Sequence, residues 1–362
     1  MKTFAAIFIV SFVLVYVLTP LMAKISLLKG WVDKPTKDRK IHEKPTPTLG
    51  GIPIFLSIYI PLLLLYYWPN AQGDIMRDKA PVLLGLVIGV LMMLFLGIYD
   101  DRKGAGHRLK FSVQILAAVV IYFFGFRIQT ISLPFGLHLD LWYFALPFTI
   151  LWVVGITNAI NLIDGIDGLA AGVSLFVTGT IFLVSLIYER SFTSAIAAAM
   201  GGALLGFLRY NFFPAKIFMG DSGSLAVGFL IAAIGIRGSY KGATMVALSI
   251  PILALGVPIM DTLLAIWRRF WSRKPVFSGD RDHIHHRLIE RGLSQSKAAL
   301  LLYGLTVFFG VMAFLITLGN SQEIALILLA FGIVTVIFVQ RLGYFTRGNG
   351  KKNGERSKEI DD

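Results

Sequence analysis

Apolar residues run in long blocks near 4–24, 49–68, 80–98, 111–126, 143–160, 168–187, 193–210, 222–236, 243–267, 298–318 and 322–341. A block of about 20 apolar residues crosses a bilayer as one α-helix. The pattern therefore predicts an all-α polytopic membrane protein with about eleven transmembrane helices. The first block, MKTFAAIFIVSFVLVYVLTPLMAKI, has an apolar core about twice the length of a signal-peptide core, and no small-x-small site follows it, so it is expected to remain as the first span. Residues 127–141, RIQTISLPFGLHLDL, alternate apolar and polar around Pro134 and Gly136, which predicts a short outer β-hairpin. Residues 1–345 are expected to form a single integral-membrane domain. The polar tail 346–362 is expected to be disordered. No internal repeat supports a transporter's inverted halves.

Composition agrees with this pattern. Of 362 residues, 56% are hydrophobic and only 15% charged, with a mean hydropathy of +0.73. Cysteine is absent, which removes disulfides, thiolate nucleophiles and Cys-ligated zinc. The net charge of +13 would suit nucleic acid, but its placement points elsewhere. With an odd span number and the N-terminus outside, the outer side carries only Lys2, Arg77, Lys79, Arg127, Arg190, Arg237 and Lys241 of the 34 Lys and Arg. By the positive-inside rule the N-terminus is expected outside and the C-terminus in the cytoplasm. The basic excess then faces anionic lipid headgroups and phosphates, and no nucleic acid is required.

On that topology every unusual polar cluster falls at an inner border: KPTPTLGG (44–51), YDDRKG (99–104), NAINLIDGIDG (158–168), YNFFPAKIFMGDSGS (210–224) and GDRDHIHHRL (279–288). Ionisable groups at membrane depth are costly and face a cavity or a partner. Five motifs at one face imply a single cytoplasmic site. Asp100 and Asp101 repel each other unless a cation compensates. Either Arg102 and Lys103 neutralise them as an interfacial cluster, or they serve chemistry. Asp221 stands at a helix start, where a plain N-cap and a metal ligand are both compatible readings. His283 and His286 are spaced to share a helical face. With Arg287 they suit phosphate or sugar hydroxyls better than zinc, against the plainer reading of a solvated helix. Carboxylates and amides without a thiol favour a hard cation, chiefly Mg²⁺, and hence phosphoryl transfer. No GxxxxGK[ST] loop is present.

Residues 158–172, NAINLIDGIDGLAAG, pose a geometric problem. In one continuous helix, steps of three drift by about −60° each, and part of this polar set would face lipid. Gly165 and Gly168 suggest a break instead. NAINL is expected to end the fifth span, IDGIDG to turn, and LAAG to open the sixth.

The five motifs, in this order, resemble the polyprenyl-phosphate N-acetylhexosamine-1-phosphate transferases (glycosyltransferase family 4), over about residues 1–345. The likeness is greatest to the WecA/TagO-like branch. The related MraY translocases carry three consecutive histidines, and here Ile284 interrupts the run, which favours a UDP-GlcNAc enzyme over a MurNAc-pentapeptide one. The resemblance implies a bacterial cytoplasmic-membrane enzyme that transfers GlcNAc-1-phosphate from UDP-GlcNAc to undecaprenyl phosphate and releases UMP. It implies Mg²⁺, with Mn²⁺ as a substitute, membrane lipids as surroundings, and leaves a homodimer open. By the same resemblance Asp221 would ligate the metal with Asn161. Asp100 would be the candidate base, and Asp101 would support it or the metal. Asp164, Asp167 and Asn211 would line the nucleotide pocket, Asn158 would be a further substrate-binding residue, and Lys44 would meet a phosphate. His283, His285, His286 and Arg287 would hold the sugar or the diphosphate. Competing readings are a transporter, which would place charge at mid-membrane with repeat symmetry, and a CDP-alcohol phosphatidyltransferase, of whose motif only an opening DG is present.

Overall fold

A computed structural model describes residues 1–33, 45–132, 138–238, 249–271, 283–319 and 321–342. Lys44, the tip of the expected hairpin with Pro134 and Gly136, the start of the expected ninth span and the polar tail lie outside the described residues. The chain is a helical bundle. Its elements are α1 (Lys2–Leu28), β1 (Val32–Asp33), β2 (Thr46–Pro47), α2 (Gly51–Tyr67), α3 (Ala71–Asp78), α4 (Ala80–Lys103) and α5 (His107–Phe123). There follow β3 (Thr130–Ser132), β4 (His138–Asp140), α6 (Ala145–Ile163), α7 (Leu169–Ile187), α8 (Ser191–Asn211) and α9 (Gly220–Gly238). The chain continues with α10 (Ser249–Ala254), α11 (Gly256–Trp271), α12 (Ile284–Glu290), α13 (Gln295–Leu318) and α14 (Ser321–Arg341).

Eight helices among the described residues are long and apolar enough to cross a membrane, or nine if α2 and α3, bent by 104°, count as one broken span. The protein is a multi-pass membrane protein, and among the described residues helix length and apolarity do not by themselves confirm the expected count of eleven. The helix α5 has 17 residues, about 26 Å at 1.5 Å per residue. The expected span 243–267 divides into α10 and α11, where Pro251 and Pro258 each lack a backbone donor on either side of the break. Strands β3 and β4 pair antiparallel, with Thr130 opposite Asp140 and Ser132 opposite His138.

Lipid gives helices no hydrophobic reason to associate, so small residues and close backbone packing hold them together. Helices α8 and α9 form the enclosed centre and are rich in Gly and Ala. Against α1, a Cβ added at Gly202 would lie 2.1 Å from Phe8 O, and one at Gly206 would lie 2.9 Å from Phe12 O. This is the small-xxx-small seam that lets two backbones touch. Helix α4 meets α9 in the same way, since a Cβ at Gly97 would lie 2.3 Å from Ser222 Cα and N. A Cβ at Gly51 would lie 2.4 Å from Ser222 C, so α2, α4 and the start of α9 converge on one residue. That convergence places the N-terminus of α9 beside the C-terminus of α4.

Gly97→Ala is expected to cost about 1–3 kcal/mol through overpacking and to lower the unfolding temperature in detergent. Gly155→Ala, in a helix with open space around the site, is the control. There the substitution is expected to be neutral or stabilising by up to about 1 kcal/mol.

Candidate active site

The N-terminal amides of a helix have no intrahelical partners and must find them elsewhere. At α9 they are supplied by another helix. Asp101, at the end of α4, accepts from Asp221 N through Oδ1 at 2.8 Å and from Ser222 N through Oδ2 at 3.1 Å. Gly220 precedes them at φ +68°, and a Cβ there would lie 2.7 Å from Asp101 Oδ2. The backbone therefore needs glycine twice over, for its conformation and for the close approach. The N-cap reading of Asp221 is thereby corrected. Its carboxylate leaves its own helix: Oδ1 accepts from Asn161 Nδ2 at 2.8 Å, and Oδ2 meets Lys110 Nζ at 2.6 Å. Asn161 also donates to Ser224 Oγ at 2.8 Å.

Lys110, one turn into α5, is a residue that the sequence reading missed. Its ammonium bridges Asp221 and Asp100. The reading in which Arg102 and Lys103 neutralise the two aspartates is also corrected. The Arg102 guanidinium lies 4.8 Å from the Trp31 ring centroid and Lys103 Nζ 5.7 Å from that of Tyr99. A lysine one turn inside an apolar helix costs free energy unless paired, and that cost was the available signal.

The expected corner at 158–172 is present. Helix α6 ends at Ile163 and α7 starts at Leu169, with Gly168 in the left-handed region at φ +78°. The two glycines have separate duties. A Cβ at Gly165 would lie 2.2 Å from His285 Nε2, so the first glycine admits a histidine from far along the chain. Gly168 gives its carbonyl to Tyr303 Oη at 2.6 Å, which pins the turn to α13. Asp164 caps α6 at the corner. Burial, then the charges of Asp221, Asp101 and Asp167, push its carboxyl well above the usual carboxylate range. Asp167 is buried and accepts from Ala215 N at 2.8 Å. Asn211 donates to Ile217 O at 3.0 Å. Together these two fix the loop leading into α9. Phe218 extends that loop's anchoring to the 45–51 segment, donating to Pro47 O at 2.9 Å and accepting from Gly50 N at 3.1 Å.

Asn158 is placed differently from the other residues expected to bind substrate. It exchanges hydrogen bonds with buried Gln114, donating from Nδ2 to Oε1 at 2.7 Å, and joins α5 to α6 rather than to the carboxylates.

The histidines also depart from the expected arrangement. His283 precedes α12 in extended conformation, so it does not share a helical face with His286. Its ring stacks on His285 instead, with centroids 5.9 Å apart and an interplanar angle of 4°. His286 lies 4.2 Å from His285. His285 is 1% exposed, and its Nε2 has no hydrogen-bond partner among the described residues. Burial, with the neighbouring His286 adding to it, pushes the ring down to about 3. Arg287 donates to Leu342 O at 3.3 Å, which ties α12 to the end of α14. Asp261 of α11, also missed, accepts from Ile284 N at 2.8 Å and faces His283 Nδ1 at 2.9 Å.

The oxygen-rich set around Asp221 and Asp100 suits a hard cation. No group of three or more acidic or histidine ligands poised for a metal occurs among the described residues. Mg²⁺ commonly needs only one or two carboxylates plus substrate phosphates, so the residues fit such an ion. Lys110, seated between two carboxylates, marks where positive charge is demanded.

His285 makes stability depend on pH. Its pKa is depressed from 6.5 to about 3, so between those values the unfolded chain binds more protons than the folded one. Stability is then expected to fall as pH drops below 6.5, by about 2 kcal/mol at about pH 5. Thermal unfolding of the wild type and His285→Gln across this range measures it, and the variant's curve should be flatter.

Sequence comparisons accord with this geometry. Residues 83–239 match the family model described as Glycosyl transferase family 4. A probable undecaprenyl-phosphate N-acetylglucosaminyl 1-phosphate transferase of Bacillus subtilis (strain 168) is 38% identical over 328 residues, 90% of this chain and 88% of the relative. A decaprenyl-phosphate N-acetylglucosaminephosphotransferase of Mycobacterium tuberculosis (strain ATCC 25618 / H37Rv) is 33% identical, covering 85% and 82%. A phospho-N-acetylmuramoyl-pentapeptide-transferase of Clostridium botulinum (strain Alaska E43 / Type E3) is 31% identical, covering 85% and 93%. With a relative this similar along nine-tenths of its length, and with the matched region carrying the Asp100, Lys110, Asn161 and Asp221 cluster, the chain belongs to glycosyl transferase family 4.

Proposed function

We propose that the protein transfers GlcNAc-1-phosphate from UDP-GlcNAc to undecaprenyl phosphate, forming GlcNAc-diphosphoundecaprenol and UMP, at the cytoplasmic face of the bacterial cell membrane. The observation that carries this reading is the Lys110 bridge between Asp100 and Asp221, at the end of the bundle where the other motifs meet. That end holds Lys29, Arg102 and Lys103 as well, in keeping with an N-terminus outside and a C-terminus inside. The 38% identity to the Bacillus subtilis relative supports GlcNAc as the sugar, as does Ile284 within the histidine run.

In this reading an oxygen of the lipid phosphate bonds to the β-phosphorus while the bond from that phosphorus to the bridging oxygen breaks. UMP leaves with the electron pair. Bound at Asp221 and Asn161, Mg²⁺ would neutralise charge on the diphosphate. The protein's own groups do the positioning. Lys110 meets the phosphate charge and keeps Asp100 and Asp221 together. Asp101 holds the amides that set Asp221 in place. A phosphate monoester has a second pKa of about 6, so most of the acceptor is already dianionic at neutral pH. Asp100 therefore acts chiefly by orienting Lys110 and the acceptor, and proton removal is a minor part of its work. Asp164, whose carboxyl is raised above the usual range by burial and by the neighbouring carboxylates, lies next to Gly165 and the histidines, at the corner where the nucleotide sugar would meet them.

Purified protein in detergent, given UDP-GlcNAc and undecaprenyl phosphate, is expected to release UMP with Mg²⁺ and not with EDTA. Absence of UMP with either Mg²⁺ or Mn²⁺ defeats the proposal. UDP-GalNAc and UDP-MurNAc-pentapeptide, run in parallel, are expected to turn over more slowly. Asp221→Asn and Lys110→Met are each expected to lower kcat by about 10²-fold or more, with the unfolding transition retained. Near-normal turnover in Asp221→Asn removes that residue from the reaction centre.

A further inference from the structure

Asp261 lies in the apolar run GVPIMDTLLAIW of α11 and is only 2% exposed. A carboxylate buried in such a helix needs strong partners. Both of its oxygens are used on one short segment: Oδ1 accepts from Ile284 N at 2.8 Å, and Oδ2 lies 2.9 Å from His283 Nδ1. A carboxylate can only accept from the ring, so this contact assigns the proton to Nδ1 and leaves Nε2 as the nitrogen open to other chemistry. The first contact starts α12, and the second fixes the orientation of the His283 ring. That ring lies parallel to His285, which packs on Gly165 beside Asp164. A continuous line of contacts thus runs from α11, whose Leu263 and Trp267 are each 59% exposed toward the surroundings of the bundle, to the corner between α6 and α7.

We propose that Asp261 is the positioning residue of the histidine cluster, holding His283 in its Nδ1-protonated form and seating His285 against the Gly165 corner. This rests on the transferase reading for its effect on turnover, but the proton assignment stands independently of it. Asp261 touches no substrate. It acts through His283.

Asp261→Asn is the sharpest test because it keeps size and shape. One amide oxygen still accepts from Ile284 N, while the amide nitrogen now donates to His283 Nδ1 and drives the proton to Nε2. The ¹⁵N spectrum of histidine-labelled full-length protein in detergent, assigned with His283→Gln, reads this directly. The wild type is expected to show a protonated Nδ1 at His283 and the variant a lone pair there. The unfolding temperature is expected to stay within a few degrees. UMP release from UDP-GlcNAc and undecaprenyl phosphate is expected to drop about 10- to 100-fold, as when a group that orients a functional histidine is lost. In the His283→Gln background, Asp261→Asn should add little further loss, which a purely structural role would not predict. A wild-type His283 protonated at Nε2 overturns the proposal. So does unchanged turnover in Asp261→Asn, or a full second loss in the double variant. Should Asp261→Asn fail to fold, Asp261→Ser in the same paired comparison with His283→Gln decides in its place. If the wild type itself makes no UMP, the transferase reading fails, while the ¹⁵N signal still decides the proton assignment.

Discussion

Asp101 holding the two leading amides of α9 is the contact on which the rest of this site depends. A helix that begins inside a membrane protein must find partners for its first amides, because lipid offers none. Had Asp221 met that need itself, its oxygens would have turned back onto its own backbone. Because α4 supplies the cap, Asp221 reaches outward to Lys110 and Asn161. The same division of labour recurs at α12, where Asp261 of α11 serves the backbone amide and His283 together. In both places a carboxylate from one helix secures the start of another, and the residue so secured is free for other work.

This arrangement is expensive and is held by tight packing around it. Asp100 and Asp221 share one lysine, and burial together with the charges of Asp221, Asp101 and Asp167 raises the Asp164 carboxyl well above its ordinary range. Such a concentration of negative charge is costly unless a cation compensates it. The offsetting stability comes from the glycine seams at Gly51, Gly97, Gly202 and Gly206, where backbones meet at a separation no side chain would permit. Fold and site are thus joined at Ser222, which is both the floor of the α2–α4–α9 contact and a donor to Asp101.

Much of the architecture was legible in the sequence because lipid imposes a simple rule on long apolar blocks. The corner at Gly165 and Gly168 could be read from helix geometry alone, since polar residues at steps of three from Asn158 to Asp167 drift through about 180° and cannot share one helical face. What could not be read was pairing across long separations. Lys110 looked like one more inside-positive charge, and nothing local to HRLKFS links it to Asp100 or Asp221. Asp261 was similarly hidden, although a carboxylate within an apolar run is itself a signal that a partner exists. The N-cap reading of Asp221 and the neutralising role given to Arg102 and Lys103 failed for one reason. Both assumed that near neighbours in sequence would satisfy these groups, and tertiary contacts did so instead. The described residues bear out eight or nine of the expected spans by length and apolarity, and the others fall on the short α5 and on the proline-divided α10 and α11.

The contact of Tyr303 with the carbonyl of Gly168 has a consequence for how the protein is made. The corner it secures is synthesised early, and the residues that complete it, His285 and Tyr303, come roughly 120 to 135 positions later. A chain emerging from the ribosome and entering the membrane folds from its N-terminal side. The carboxylates of α4 and α9 can therefore assemble while the histidine side of the site is still missing. In the order of synthesis, the acidic side of the site is complete before α12 and α13, which bring the histidine side, have been made.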